Sequence, residues 1–258
     1  MRLPFRIQGD TSPCFNGAPG RRAAPFPERP PPVPHHPDWR QELRRRLVTL
    51  WPAKAVGTPL GITLFFMGYF WVMRHPLGPV FTMPLVWADH AVPFWPETFA
   101  AYVSLWVYVA LAPAVAGDRR ELEACTLPML FMSIVGFMLF LAFPTQVPKA
   151  DVDWTLHTAM QFLKQVDASG NACPSLHVAF AVYTAWVLDR TFAAIRGPAS
   201  FRWANALWCL AIVHSTLATR QHVALDVLAG IVLAVAAAAL HQALMAAGAR
   251  RAVGPAAA

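Results

Sequence analysis

Two short segments of the sequence carry histidine, serine and aspartate side chains at spacings that suit chemistry on an anion. In the first, His222 and Asp226 are four residues apart, so a helix would place them on one face, about 6 Å apart along its axis. The aspartate could then accept a hydrogen bond from one imidazole nitrogen and raise the basicity of the other, which prepares a histidine as a nucleophile or base. A buried polar pair that holds two helices together explains the same spacing, and the pair alone leaves both interpretations open.

The second segment runs from Cys173 to His177 and contains Pro174 and Ser175. Proline suits the first turn of a helix, where free backbone amides and the helix dipole favour an anion. Ser175 would add a hydroxyl donor at that turn, and His177 would add a second imidazole.

Basic residues border both segments. Arg220 precedes His222 by two residues, and Lys149 lies in the loop that leads towards Ser175. Two imidazoles, two cations and a helix N-terminus together predict a site for an oxyanion such as phosphate. One histidine would attack phosphorus, and the other would protonate the leaving oxygen.

Both segments lie at the start of apolar stretches that are long enough to cross a bilayer. A spanning helix needs about 20 mostly apolar residues. Such stretches occur at 57–73, 98–116, 127–143, 176–195, 203–219 and 222–245. Charged residues make up 14% of the chain, against about 25% in a soluble domain, which argues against an ordinary soluble enzyme. The sequence therefore predicts an all-α polytopic membrane protein with six transmembrane helices.

The basic residues are shared unevenly between the two sides of such a protein. When the six helices alternate in direction, the side of the N-terminus receives 17 of the 21 Lys and Arg residues. The other side receives Arg74, Lys149, Lys164 and Arg220. The positive-inside rule then places both termini in the cytoplasm and the predicted site on the outer face. The Ala-, Arg- and Pro-rich composition and the absence of a eukaryotic targeting signal suggest the periplasmic face of a bacterial inner membrane.

Most of the net charge of +7 belongs to the N-terminal segment. Residues 1–54 hold ten basic and four acidic residues, and we expect 1–38 to be a disordered Pro/Arg-rich cytoplasmic tail. Residues 40–50 would form either a short amphipathic helix facing anionic headgroups or a solvated basic linker. The tail lacks the interleaved aromatic residues of a nucleic-acid surface, so a nucleic-acid partner is not expected. A membrane domain over 55–247 and a disordered tail over 248–258 complete the predicted organisation.

In both segments the sequence resembles the type-2 phosphatidic acid phosphatase and haloperoxidase superfamily. Its signature motifs run K-x6-R-P, P-S-G-H and S-R-x5-H-x3-D. The second corresponds to the tetrapeptide from Pro174 to His177, and the third to Ser215-x6-His222-x3-Asp226, about 40 residues later. The string around His222 is closer to the branch that includes inositol phosphorylceramide synthases.

The resemblance implies a role for each matched residue. His222 would be the nucleophile that forms a phosphohistidine, and Asp226 would orient it. His177 would serve as acid for the leaving alcohol and as base for the incoming one, while Ser175 would hydrogen-bond a phosphoryl oxygen. The mechanism needs no metal or other cofactor.

Three departures from the family pattern accompany the resemblance. Leu176 stands where the second motif has glycine, as is common in the synthase-like branch, and Thr216 stands where the third has arginine. Arg220 is therefore our candidate for that charge. The first motif is degenerate, and Lys149 is placed where its arginine would stand, although lysine binds phosphate as a point charge rather than as a fork.

The resemblance implies a membrane lipid phosphatase that cleaves a lipid phosphate or pyrophosphate monoester. A phosphotransferase that moves a phospho-head group to an alcohol is the alternative, because the second step can use water or a hydroxyl. A non-catalytic transporter or scaffold, with His222 and Asp226 as a proton relay, is a further alternative. Around the site, Asp89, Pro93 and Phe94 could form a lip at its opening, and His157 and Lys164 could cover the substrate or be solvated loop residues.

Overall fold

A computed structural model describes residues 38–161 and 170–253, and these residues are mostly helical. The helices are α1 (Trp39–Val48), α2 (Trp51–Arg74), α3 (Trp87–Ala91), α4 (Phe99–Val103), α5 (Leu105–Ala114), α6 (Arg119–Ala142), α7 (Leu176–Ala194), α8 (Ala199–Ala218) and α9 (Ala224–Val253). Short 3-10 turns lie at Pro96–Thr98 and Trp154–Leu156. The predicted N-terminal tail falls almost wholly outside the described residues. At the other end, helix α9 rather than a tail occupies residues 248–253.

Four of these helical stretches are long and apolar enough to cross a membrane. They are Trp51–Arg74, Pro96–Ala114, Arg119–Ala142 and Ala224–Arg250. The fourth and fifth predicted spans form helices α7 and α8 but are not among the four, because polar residues are spread through them and leave no stretch of 18 residues that is apolar enough. The count of six spans therefore stays a prediction, as do the positions of the termini and the orientation.

Helix α7 lies at the centre of the bundle, which explains why it can be less apolar than a lipid-facing helix. It packs against α5, α6, α8 and α9. Its residues Val178, Ala179, Ala181 and Tyr183 are completely buried. The polar groups of His177 and Tyr183 therefore meet backbone carbonyl oxygens of α4 and α6 instead of lipid.

Helix α1 forms where the sequence left a choice between a helix and a linker. Asp38 caps its N-terminus by accepting a hydrogen bond from the amide of Arg40. Glu42 accepts hydrogen bonds from Arg45 and Arg46, and the bond from Arg45 is the main reason that the pKa of Glu42 is lowered to about 2. Arg46 also pairs with Glu121 of α6, with 2.6 Å between Nη1 and Oε2. Arg46 therefore turns towards the bundle instead of towards lipid headgroups.

Lys54, near the start of α2, is buried without a carboxylate partner. Its ammonium group donates to the carbonyl oxygens of Arg46, Ala114 and Ala116 at 2.7–2.9 Å. A buried ammonium is costly unless its protons are satisfied, and three carbonyls use all three. This one side chain therefore ties the ends of α1 and α5 to the start of α2.

Two connections between helices meet in a small parallel pairing that the all-α prediction did not include. Strand β1 (Phe81–Thr82) pairs with β2 (Thr145–Gln146), and Thr145 also bridges to Asn171. The loop after α2, the loop after α6 and the segment before α7 are thus joined at one end of the bundle. This end carries the starts of α7 and α9, where the predicted site residues lie.

Candidate active site

His222 and Asp226 form a direct pair at the start of α9. The imidazole Nδ1 lies 3.1 Å from Oδ2 of Asp226. The other carboxylate oxygen accepts the amide of Val223 at 2.8 Å, and Asp226 is completely buried while 12% of the His222 side chain is exposed. A carboxylate can only accept, so Nδ1 carries the proton and Nε2 keeps its lone pair. His222 is thus held in the tautomer that leaves Nε2 as a nucleophile.

The end of α8 positions the backbone of His222. The carbonyl of Thr216 accepts from the amides of Gln221 and His222, at 3.1 and 3.0 Å. Arg220 adopts a left-handed conformation with φ of 56°, which ends the helix at a position that glycine commonly fills. This tight turn brings the chain directly from α8 into the first turn of α9, so His222 has little backbone freedom.

Ser175 caps helix α7 and contacts α9 through its backbone. Its hydroxyl oxygen accepts from the amide of Val178 at 3.2 Å, and its own amide donates to the carbonyl of Asp226 at 2.9 Å. The sequence had suggested that Pro174 lies in the first turn of the helix. Ser175 is instead the N-cap, so Pro174 precedes the helix. A Cβ on Gly230 of α9 would lie 2.4 Å from the Ser175 carbonyl oxygen, so this close approach requires glycine.

His177 is buried in the first turn of α7 against aromatic rings. Its Nε2 lies 2.9 Å from the carbonyl oxygen of Tyr102, and its ring stacks on the Tyr102 ring with 4.0 Å between centroids. A carbonyl accepts only, so Nε2 carries a proton and Nδ1 is the nitrogen left for chemistry. The hydrogen bond from the Ser175 amide to the Asp226 carbonyl joins the starts of α7 and α9, so His177 and His222 lie at the same end of the bundle.

Arg220 and Lys149 differ in how they relate to the histidines. Arg220 donates to the carbonyls of Asp89 and Val92, at 3.1 and 3.0 Å, which fixes its guanidinium beside the turn that carries His222. Lys149 is exposed, and no hydrogen bond or ion pair joins it to another residue within 38–161 or 170–253. The structure therefore brings Arg220, but not Lys149, into the hydrogen-bonded frame of the site.

Asp89 is a part of this frame that the sequence did not identify, since it suggested only a lip at the opening. Its Oδ1 accepts from the amide of Ala224, the first residue of α9, at 2.7 Å, and its Oδ2 accepts from the amide of Val86 at 2.8 Å. The residue is only 4% exposed. The sequence around α9 did contain one indication of such a contact. Val223, at the N-cap position before α9, has no side-chain acceptor, so the helix needs a cap from another part of the chain.

Replacing Asp89 with alanine should loosen the first turn of α9. Two amides would lose their acceptor, at about 1–3 kcal/mol each if they remain buried. We expect a melting temperature several degrees lower and a kcat reduced by roughly tenfold or more, because His222 would be less well placed. Asp89→Asn keeps one acceptor oxygen, so its melting temperature and kcat should lie between those of Asp89→Ala and the wild type. Asp151→Ala, at an exposed loop carboxylate, is the control, and equal stability and activity in all four proteins would contradict this role.

The loop between α3 and α4 meets the loop after α6 through an aromatic cluster. The ring of Phe94 contacts those of Trp154 and His157, at 5.9 and 5.4 Å between centroids. Phe94 and His157, which the sequence assigned to a lip and a cover, thus lie side by side. Lys164, the other expected cover residue, lies outside the described residues. Within 38–161 and 170–253, no group of three or more His, Cys, Asp or Glu residues could hold a metal ion.

Comparison with known proteins gives one match. The profile of a family described as the PAP2 superfamily matches residues 80–240, which include every predicted site residue. No curated protein and no solved structure matches the chain.

Proposed function

The chain belongs to the PAP2 superfamily, and we propose that it is a membrane lipid phosphatase that cleaves a lipid phosphate or pyrophosphate monoester through a phosphohistidine. Family membership and four membrane-length helices indicate an integral membrane protein with phosphatase-type or phosphotransferase-type chemistry. The main support for a phosphohistidine mechanism is the contact between His222 Nδ1 and the buried Asp226 carboxylate. It leaves Nε2 unprotonated on a side chain that is 12% exposed.

In the first step, Nε2 of His222 attacks phosphorus and the bond from phosphorus to the leaving oxygen breaks. His177, protonated on both nitrogens at this stage, donates its Nδ1 proton to that oxygen and becomes neutral. Its Nε2–H donates to the Tyr102 carbonyl throughout, which keeps the ring in one orientation. In the second step, neutral His177 takes a proton from water through Nδ1 while the water oxygen bonds to phosphorus. The bond from phosphorus to Nε2 of His222 breaks, and phosphate leaves.

The charge that develops on phosphorus would be stabilised by groups around the two histidines. Arg220 contributes its positive charge from a fixed position, and the start of α7 contributes the positive end of its dipole. The Ser175 oxygen already accepts from Val178, so its hydroxyl proton is the part that would donate to a phosphoryl oxygen. Lys149 would add a point charge from its exposed loop.

A phosphotransferase similar to inositol phosphorylceramide synthases is the second candidate. One observation favours it: Leu176, which stands where the phosphatase motif has glycine, packs directly over Gly136 of α6. A Cβ on Gly136 would lie 2.6 Å from the Leu176 side chain, so the two residues are complementary in size. The leucine is thus built into the packing, as expected for a member of the branch that has lost the motif glycine. In this case an alcohol takes the place of water in the second step.

The test uses the purified full-length chain in mixed micelles with two labelled substrates, phosphatidic acid and a polyprenyl pyrophosphate. A phosphatase releases inorganic phosphate, and His177→Ala should reduce this release by about 10²–10⁴-fold. A phosphotransferase instead moves label into a lipid product only when inositol or another alcohol is added. No turnover under either condition would refute both enzymes and favour the transporter or scaffold. Labelling an intact membrane from each side would test our proposal that the site faces the periplasm of a bacterial inner membrane.

A further inference from the structure

A cavity of about 340 Å³ lies at the end of the bundle away from His222. It is bounded by the last turns of α5 and α7, the first turns of α6 and the distal part of α9. The helix rise places His241, which lines it, about 22 Å from Asp226 along α9. The cavity is therefore separate from the candidate active site by most of the thickness of a membrane core.

Arg190 brings an uncompensated positive charge to this cavity. Its guanidinium lies over the ring of Trp186, 5.3 Å from the centroid, and donates to no carboxylate or carbonyl oxygen among the described residues. The adjacent Asp189 is taken by Arg202, at 2.6 and 3.1 Å. By contrast Arg46, also in the lining, is already neutralised by the carboxylates of α1 and α6. Arg190 thus offers a planar set of donors that matches a phosphate.

His241 places a second polar group beside Arg190. Its Nδ1 lies 2.8 Å from the hydroxyl of Tyr183, which also lies 3.1 Å from the carbonyl oxygen of Cys125. Nδ1 is thus engaged by Tyr183. Nε2 of His241 is left for a ligand hydroxyl, which can donate to it or accept from it in either tautomer. The His241 ring lies 5.1 Å from that of Trp186, so Trp186 holds both groups in place.

The rest of the lining suits a molecule with an apolar part. Val115, Val187 and Met245 contribute aliphatic walls, and the cavity opens at one side of the bundle. A basic pocket between helices at a membrane surface is the type of site that binds anionic lipid headgroups. We propose that this cavity binds a phosphate ester, supplied by the headgroup of an anionic phospholipid, with Arg190 on the phosphate and His241 on a headgroup hydroxyl. In the orientation favoured by the basic residues, the site faces the cytoplasmic leaflet, and its occupation does not depend on the reaction at His222.

The experiment measures binding to the full-length chain in detergent, in a His222→Ala background so that no ligand is consumed. Short-chain phosphatidylglycerol, short-chain phosphatidylcholine and inorganic phosphate are titrated separately, and binding is followed by native mass spectrometry and by the shift in melting temperature. We expect phosphatidylglycerol to bind and Arg190→Gln to weaken it by about tenfold or more. Arg44→Gln removes an exposed charge of α1 that does not line the cavity, and it should leave binding unchanged.

A second variant tests the cavity rather than the charge. Ala194 lines the opening and is exposed, so Ala194→Leu should fill part of the space without disturbing the fold, and it should weaken phosphatidylglycerol binding as well. If only inorganic phosphate bound in a way that depended on Arg190 and Ala194, the phosphate site would stand, but its ligand would be free phosphate instead of a lipid headgroup. The proposal would be overturned if phosphatidylglycerol bound Arg190→Gln as tightly as Arg44→Gln. It would also be overturned if Ala194→Leu left phosphatidylglycerol binding unchanged. None of these outcomes depends on whether the protein turns over a lipid phosphate.

Discussion

Replacing His222 with alanine is expected to lower kcat for turnover of the phosphorylated lipid by about 10⁴-fold or more, because it removes the atom that bonds to phosphorus. The residual rate would come from Arg220 and the start of α7, which still stabilise charge on a phosphate attacked by water. The melting temperature should change little, since the His222 side chain is partly exposed and its loss leaves the Val223 amide still bonded to Asp226.

A covalent intermediate gives a direct check on this prediction. Wild-type protein mixed briefly with labelled substrate and quenched in alkali should retain label that acid releases, as expected for a phosphorus–nitrogen bond. His222→Ala should retain none. The matched control is His214→Ala, two turns earlier on the chain, where the ring contacts Trp95 instead of the site. His214→Ala should be labelled and active like the wild type, and a His222→Ala protein that still accumulated the labelled form would refute the assignment of the nucleophile.

The parts of the site that could be predicted from the sequence are those fixed by local geometry. A spacing of four residues puts His222 and Asp226 on one helical face wherever the helix lies in the molecule. Ser175 and His177 are likewise placed by the helix that begins at Leu176. In each case the helix itself sets the relative positions, so no knowledge of distant residues was needed.

The parts that could not be predicted depend on contacts between segments far apart in the sequence. Asp89 caps α9 across more than half of the chain, and nothing near Asp89 indicates this partner. The pairing of β1 with β2 involves only two residues in each strand, too few to show the alternation that predicts a strand. Arg46 belongs to the segment that the sequence left as either a helix facing headgroups or a solvated linker, and it pairs instead with Glu121 of α6.

Helix α7 shows how contacts between helices also limit what hydropathy can predict. Helix α7 is surrounded by four other helices, so the bilayer does not select for apolar residues along its whole length. Hydropathy measures how well a helix suits lipid and not how well it suits a protein interior. The mean hydropathy of α7 is therefore a poor guide to how well its residues are accommodated. Its polar residues Ser175, His177 and Thr184 are buried by neighbours. A central helix that carries functional groups can therefore be less apolar than a helix that faces lipid.

Asp226→Asn is expected to reduce kcat by about 10³–10⁴-fold while leaving the fold nearly intact. Asparagine has the same shape, and its carbonyl oxygen can keep the hydrogen bond from the Val223 amide at the position of Oδ1. Its NH₂ group would then face His222 where a carboxylate now accepts, so Nδ1 would have to become the acceptor. The proton would move to Nε2, and the lone pair that attacks phosphorus would be lost.

This substitution separates the two interpretations that the spacing of His222 and Asp226 left open. If the pair only holds helices together, exchanging a buried carboxylate for an amide should lower the melting temperature, and activity should fall only in proportion to the folded fraction. If the pair prepares a nucleophile, kcat should collapse with a melting temperature close to that of the wild type and with KM little changed. Asp189→Asn, which breaks the ion pair with Arg202 at the other end of the bundle, is the control and should retain full kcat. An Asp226→Asn protein that turned over substrate at the wild-type rate would show that the carboxylate does not set the tautomer of His222, and the nucleophilic role would then have to be reassigned.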